Sequence, residues 1–339
     1  MPPSLPVAIL GAGRIGQVHA RTIAHRIPGA RLVGVADPRL EAAQALADEL
    51  GIPRVSAHPA ELIADPEVRA VLVCSSTDTH ADLVIAAAGE GKHVFCEKPL
   101  DLDLARIDLV LQAVDRAGVQ LMLGFNRRFD PDFARVRALV ASGAVGRPEM
   151  LRITSRDPSP PPAEYVAVSG GLFLDMTIHD FDMARFVMGQ EVVELHAMAG
   201  VLVDPVIGDA GDVDSAVISL RFAGGALGVI ENSRRAVYGY DQRVEVLGSG
   251  GRVGNGNHSA DSVQLANGQG LHDPPLLDFF MERYAAAYEA EIRAFVDAVQ
   301  AGTTPPVGGD DGRMAVVLGL AAERSVALGR PVEISEIAG

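Results

Sequence analysis

The sequence predicts an α/β chain with an α+β second part: a doubly wound parallel sheet first, then an open-faced antiparallel sheet with helices. Three observations carry this. Over residues 5–123, six short apolar runs alternate with helical patterns, the spacing of a parallel sheet whose crossovers are helices. The first run leads straight into G-A-G-R-I-G at 11–16, a glycine cluster between a strand and a helix. Runs with strand character at 192–203, 213–222, 226–233 and 242–247 then follow one another across Gly-, Asp- and Asn-containing turns. The change of architecture falls at residue 125, so two domains are expected, 1–124 and 125–339, the C-terminal helices being free to pack back on the first.

Each element has its own signals. Strand 5–10 precedes a helical pattern over 17–25, strand 31–36 and a helix over 40–50 closed by Gly51. A short strand at 54–57, a helical turn at 61–64 and a fourth strand at 70–75 come next. Helix 79–90 ends at Gly91, strand 93–96 follows, and helix 102–117 stops at Gly118 before the sixth strand at 119–123. Past that point 132–142 is helical and 149–156 alternates as a strand does, ahead of a Pro-rich loop over 157–163. A helix is expected over 170–186 and a turn region over 255–270. Helices at 282–300 and 311–328 are closed by Gly302 and Gly329.

With 48% hydrophobic residues and a formal charge of −15, the chain reads as an ordinary soluble globular protein. That charge argues against nucleic acid or an anionic membrane as the main partner, because both would repel it. A small neutral substrate fits, as does an anionic cofactor held by backbone amides. The apolar runs are shorter than a membrane span, and the start M-P-P-S-L-P-V-A-I-L lacks the basic region and long apolar core of a leader, so a cytoplasmic protein is expected. Cys74 and Cys96 each close an apolar strand run and read as small core hydrophobes, not as a disulfide framework.

The glycine cluster has the context of a dinucleotide site. Gly11 makes the tight turn, Gly13 admits a pyrophosphate and Gly16 lets the helix pack on the strand. Ala12, Arg14 and Ile15 complete the loop at the helix N-terminus, whose amides suit phosphates. The second strand ends in Asp37, 21 residues past Gly16. An acid there bonds both hydroxyls of an adenosine ribose and repels a 2′-phosphate, which favours NAD over NADP; Arg39 pulls the other way. Ligands of such a sheet lie outside the carboxyl ends of its strands. Those ends hold Ser75, Ser76 and Thr77, then Glu97, Lys98 and Pro99, then Phe125, Asn126, Arg127 and Arg128. His80 opens a helix just beyond, either near the cofactor or in a structural role.

In G-G-L-F-L-D-M-T-I-H-D-F-D-M-A-R-F at 170–186, Leu174, Ile178 and Arg185 share one helical stripe while Met176, Met183 and Val187 share another. Asp175, His179 and Asp182 lie between them. A helix apolar on two sides of a polar strip is buried, so the strip faces a partner or a cavity. An acid and an imidazole one turn apart suit proton transfer, though a self-satisfied structural pair has the same spacing. The spacing could also chelate a metal, but no third cysteine or histidine ligand stands nearby, so none is expected.

G-A-G-R-I-G, C-E-K-P, G-F-N-R-R-F-D-P and D-M-T-I-H-D-F-D-M-A-R-F, in this order, resemble the glucose–fructose oxidoreductase and inositol dehydrogenase family end to end. S-R-D-P, S-R-R-A-V-Y-G-Y-D-Q-R-V-E-V at 233–246 and F-F-M-E-R-Y-A-A-A-Y-E-A-E-I at 279–292 resemble its bacterial myo-inositol 2-dehydrogenase subgroup. The resemblance implies an N-terminal Rossmann domain that binds NAD and a C-terminal domain for substrate binding and oligomerisation, as a homotetramer by family analogy. It places the catalytic set on Lys98, Asp175 and His179. It also implies that Asn126, the residue before the two arginines, and Tyr238 lie near the substrate. Some members carry a hydrophobic residue where this chain has Asn126, which makes the substrate wall its least constrained part.

Oxidising a carbinol needs a base for the O–H proton and a group that stabilises alkoxide charge as hydride leaves. His179 is the expected base, Asp175 its orienting acid and Lys98 the donor to the substrate oxygen. Asp157, Arg127, Asp182 and Tyr238 are candidate contacts to a ring of hydroxyls. Arg127 could instead touch the cofactor, and Arg128 suits a structural ion pair. Tyr238 and Tyr240 are expected to alternate on a strand, so that only one reaches the site. His19 and the other histidines show no comparable constellation. The expected activity is NAD-dependent oxidation of myo-inositol to 2-keto-inositol. A related polyol or aldopyranose dehydrogenase and a non-catalytic NAD-binding regulator are the alternatives.

Overall fold

The structure, a computed structural model, describes residues 4–166 and 168–338. The chain divides into two compact units, residues 1–129 with 286–316 and residues 130–285 with 317–339.

In the first unit, β1 (Leu5–Leu10), β2 (Ala30–Ala36), β3 (Val55–Ser56), β4 (Ala70–Val73), β5 (His93–Glu97) and β6 (Leu121–Gly124) form a sheet in the order β3-β2-β1-β4-β5-β6. Every pairing in it is parallel. The crossovers are α1 (Arg14–Arg26), α2 (Leu40–Leu50), α3 (Pro59–Ile63), α4 (Thr77–Gly89) and α5 (Leu104–Ala117). β4 and β6 are buried along their whole length, which is why they read as unbroken apolar runs. Strand order reverses between β1 and β4, so the crevice for a ligand opens beyond their carboxyl ends. The helix Ala285–Ala301 also packs here, with Phe295 edge-on to Phe95 at 5.9 Å and Tyr288 edge-on to His19 at 5.7 Å.

The second unit holds α6 (Pro131–Ala141), β7 (Pro148–Arg156), α7 (Ala163–Val166), α8 (Gly171–Asp175), α9 (Thr177–Met188), β8 (Val192–Gly200), β9 (Ser215–Phe222), β10 (Leu227–Ser233), β11 (Asp241–Gly248) and β12 (Gly251–Gly254). Its sheet runs β12-β11-β7-β10-β9-β8, with the short strand Val332–Glu333 added beyond β8. The sheet is mixed, not wholly antiparallel as expected: β7 and β10 are parallel neighbours. The chain between them passes through four helices, α7, α8, α9 and the short Pro205–Asp209, and the β8–β9 pair, a crossover long enough to return in the same direction. Along β9, Ala216, Ile218, Leu220 and Phe222 are buried while Val217, Ser219 and Arg221 are exposed, so one face is packed and the other open. α9 lies on the packed side against β7 and β10.

Four expectations are corrected in detail. The single helix over 170–186 is two, α8 and α9, broken at Met176 (φ −96°, ψ −58°). Thr177 Oγ1 donates to the Leu172 carbonyl and to Asn232 Oδ1, so the polar side chain at the break turns inward. The helix at 282–300 is preceded by a separate turn, Phe280–Arg283. The region 255–270 contains part of a hairpin, Leu265–Asn267 with Gly270–His272. Tyr238 and Tyr240 sit not on a strand but in the turn before β11, around Gly239 at φ +117°.

Candidate active site

The glycine loop of the first unit is built by close approach. Gly11 has φ +108°, and a Cβ there would lie 2.6 Å from the Cys74 carbonyl. A Cβ on Gly16 would stand 1.9 Å from the Gly11 carbonyl oxygen, whereas one on Gly13 would meet no protein atom within 4 Å. So two glycines serve the packing of helix on strand, and the third faces open space at the helix start. Gly13 caps α1, and no side chain caps that end. Arg14 is exposed and Ile15 half-buried beside it.

Asp37 is held by this loop. The Ala12 amide donates to Asp37 Oδ2 at 2.8 Å and the Arg39 amide to Oδ1 at 2.9 Å, leaving carboxylate lone pairs for further donors. The Arg39 guanidinium lies 3.6 Å from the same carboxylate and is 69% exposed, a loose pair that points mainly into water.

At the other strand ends, Ser75 Oγ is 2.6 Å from Thr79 Oγ1, and Ser76 and Thr77 open α4. His80 is buried, with Nδ1 2.8 Å from the Pro99 carbonyl and Nε2 3.1 Å from the Ser75 carbonyl. It ties the segment after β4 to the segment after β5. Glu97 ends β5 and Lys98 follows, half-buried. Asn126 and Arg127 are buried in the 3-10 turn Asn126–Phe129, and Arg128 pairs with Asp311 at 2.9 Å.

His19 corrects its sequence reading. It is fully buried, and its Nε2 lies 2.6 Å from Glu97 Oε1. The signal was present: His19 and Ile23 share one buried stripe of α1, where an imidazole needs a partner. Burial pushes the Cys74 and Cys96 thiols well up, with nearby Glu97 adding to it, so both stay protonated.

In the second unit, Asp175 ends α8 and His179 stands in the first turn of α9, half-buried like Asp175. The Asp175 carboxylate is fixed on both oxygens: Arg234 Nη2 donates to Oδ2 at 3.0 Å, and Tyr165 OH donates to Oδ1 at 2.8 Å. Arg234 also donates through Nη1 to Asp157 Oδ2 at 3.2 Å. Burial alone would lower the Arg234 pKa, but the charges of Asp175 and Asp157 outweigh it and raise it, so the cation is secure.

Beneath α9 lies a buried network. Asn232 Nδ2 donates to Asp180 Oδ2 at 2.8 Å and its Oδ1 accepts from Thr177 at 2.7 Å, while Ser155 Oγ donates to Gln242 Oε1 at 3.0 Å. Asp182 is buried as well. Tyr240 is buried, edge-on to Tyr284, whereas Tyr238 is 50% exposed and bonds Asp241 and Arg156. Sequence reasoning missed Arg234, Tyr165, Asn232 and Asp180. The S-R-R run after a strand was the available signal for Arg234.

Two family models match the chain: "Oxidoreductase family, NAD-binding Rossmann fold" over residues 5–125 and "GFO/IDH/MocA C-terminal domain" over residues 133–254. A myo-inositol 2-dehydrogenase of Thermotoga maritima is 51% identical over 98% of this chain and 99% of its own. The crystal structure of a putative myo-inositol dehydrogenase from Sinorhizobium meliloti is 49% identical, with a TM-score of 0.95 over 98% of this chain and all of that one. That of scyllo-inositol dehydrogenase from Lactobacillus casei, with bound NAD(H) and scyllo-inositol, is 28% identical with a TM-score of 0.92 over 98% and 99% of the two chains.

Proposed function

Because the chain belongs to the GFO/IDH/MocA oxidoreductase family, we propose that it is an NAD-dependent inositol 2-dehydrogenase that converts myo-inositol to 2-keto-inositol. The observation that carries this is the Asp175 carboxylate, fixed on both oxygens four residues before His179, in a chain that matches an enzyme of that name end to end. Nothing in the pattern of Lys98, Asp175 and His179 points to an inactive relative, which disfavours a regulator without turnover.

The residues present fit a dinucleotide. Open space at Gly13, an α1 N-terminus without a side-chain cap and the anchored carboxylate of Asp37 would hold pyrophosphate and adenosine ribose. Ser75, Ser76, Thr77 and Glu97 lie at neighbouring strand ends. When bound, NAD accepts the hydride from the carbinol carbon. His179 takes the hydroxyl proton, and Asp175, itself neutralised by Arg234, orients the imidazole. Lys98 donates to the substrate oxygen and stabilises its developing charge. Asn126, Arg127, Asp157 and Tyr238 contribute to the polyol pocket.

A second copy of the chain is the proposed cover for the open sheet face. Met150, Leu227 and Leu247 lie side by side across β7, β10 and β11 and are exposed, as is the Met198–Val217 pair on β8 and β9. A cytoplasmic homotetramer is the form we expect.

Reduced-cofactor absorbance with myo-inositol, scyllo-inositol and aldoses, each with NAD and with NADP, tests the activity. Turnover with an aldose and with no inositol would refute the substrate. The bound scyllo-inositol of the Lactobacillus casei protein makes that isomer the second reading. Lys98→Ala should collapse turnover with NAD binding kept; near-normal turnover would remove Lys98 from the mechanism.

A further inference from the structure

The first unit holds a buried acid that no step above uses. Glu291, on the helix Ala285–Ala301, is fully buried, and neither carboxyl oxygen has a hydrogen-bond partner among the described residues. Its carboxyl group and the side-chain polar atoms of Glu97 at the end of β5 and His19 on α1 lie within 4.8 Å of one another. The Cys74 thiol also feels the Glu291 charge, and the Tyr288 ring packs edge-on to the imidazole. We propose that Glu291 is a neutral carboxylic acid that leaves the negative charge of the pair on Glu97, which makes it a positioning residue for Lys98, the residue after Glu97. This rests on the reading of Lys98 given above.

Two carboxyl groups this close, one of them fully buried, cannot both ionise at tolerable cost. Burial, and then the charge of Glu97, push the Glu291 carboxyl well above the usual range. Glu97 is the more accessible of the two: its side chain retains 13% exposure, and its Oε1 lies 2.6 Å from His19 Nε2. His19 Nδ1 has no partner among the described residues. A proton on Nε2 leaves only a bare lone pair there, whereas an imidazolium would bury an unpaired N–H. On the far side Glu97 lies over Gly124 of β6, where a Cβ would come within 2.8 Å of Oε2. Glycine, imidazole and acid therefore surround the carboxylate that precedes Lys98.

A divalent cation is the other occupant such a donor set could take. Two ligands of one tetrahedral ion stand about 3.3 Å apart, yet His19 and Glu97 are at hydrogen-bond distance, 2.6 Å. A ligating histidine also donates its second ring N–H to a partner, and Nδ1 of His19 has none among the described residues. The geometry suits a proton better than a metal ion.

Infrared difference spectra of the wild type and Glu291→Gln at neutral pH should show a protonated-carboxyl band that the variant lacks. Absence of that band, or stoichiometric metal in the purified protein by elemental analysis, overturns the proposal. The chain has two lysines, Lys92 and Lys98, so reductive methylation with 13C-formaldehyde labels only these and the N-terminus. The Lys98 resonance should titrate in Glu291→Gln as in the wild type and shift by about half a pH unit or more in Glu291→Leu. An unmoved resonance in folded Glu291→Leu overturns the positioning role. In turnover, Glu291→Gln should stay within about threefold of wild type, while Glu291→Leu loses about tenfold in kcat with KM for NAD kept. Equal losses in both variants, or none in Glu291→Leu, count against it. Should Glu291→Leu not fold, the infrared band and the Glu291→Gln rate still decide. A wild type that oxidises no inositol sinks the functional reading alone, and the infrared and lysine measurements then decide this one.

Discussion

Arg234 Nη2 donates to Asp175 Oδ2 across 3.0 Å, joining the residue after β10 to the end of α8. The same guanidinium reaches Asp157, so one buried cation compensates two carboxylates. Arg234→Met should therefore destabilise the protein by about 3–5 kcal/mol, because it strands two acids rather than merely losing a contact. Urea melts check this, and kcat should fall with it. A loss below about 1 kcal/mol would mean that the carboxylates find water instead.

The glycine loop offers a paired test. Gly16→Ala drives a methyl into the Gly11 carbonyl and should cost stability as well as NAD binding. Gly13→Ala meets no protein atom, so its melting temperature should stay near wild type while KM for NAD rises by about tenfold or more. Thermal melts and cofactor titrations of the two variants side by side separate packing from ligand approach.

Asp37→Ala should erode the preference for NAD. The variant removes the acid that excludes a 2′-phosphate and leaves Arg39 unopposed, so the NADP-to-NAD ratio of kcat/KM should rise by about tenfold or more. An unchanged ratio would move the selectivity elsewhere in the loop.

Glu291 also predicts a pH dependence of stability. Its folded pKa lies above the ordinary value of about 4.3, so above that pH the folded state holds a proton that the unfolded state has lost. Stability from this group is complete below the ordinary value and is lost as pH rises toward the folded one. Wild type should thus lose stability relative to Glu291→Gln between pH 5 and pH 8 in urea melts. A constant difference would show that the acid is ionised when folded.

Much of the fold was legible because local signals and burial agree. β1 and α2 match their expected ranges, since a buried parallel strand reads as an unbroken apolar run and a glycine marks the end of α2. The break at Met176 was not legible, because it depends on Thr177 bonding inward to Asn232, 55 residues away. Asp175 and His179 stand out by their spacing, whereas the S-R-R run marks Arg234 without naming Asp175 as its partner, 59 residues away. Glu291 left a trace, an acid in the apolar stripe of Tyr288, Ile292 and Phe295, but its nearness to His19 and Glu97 could not be read from the sequence. The parallel β7–β10 pair follows from the route of the chain, which periodicity does not record.

The helix Ala285–Ala301 completes the nucleotide-binding unit although more than 150 residues of the other unit precede it. Phe95 and His19 pack edge-on to each other at 5.2 Å, and that late segment adds Phe295 and Tyr288 to them. On the ribosome, the first sheet must therefore wait, with part of its apolar surface uncovered, until almost the whole polypeptide has emerged. A fragment ending at residue 129 should be prone to aggregate, and the two units are inseparable in synthesis even where their cores are distinct.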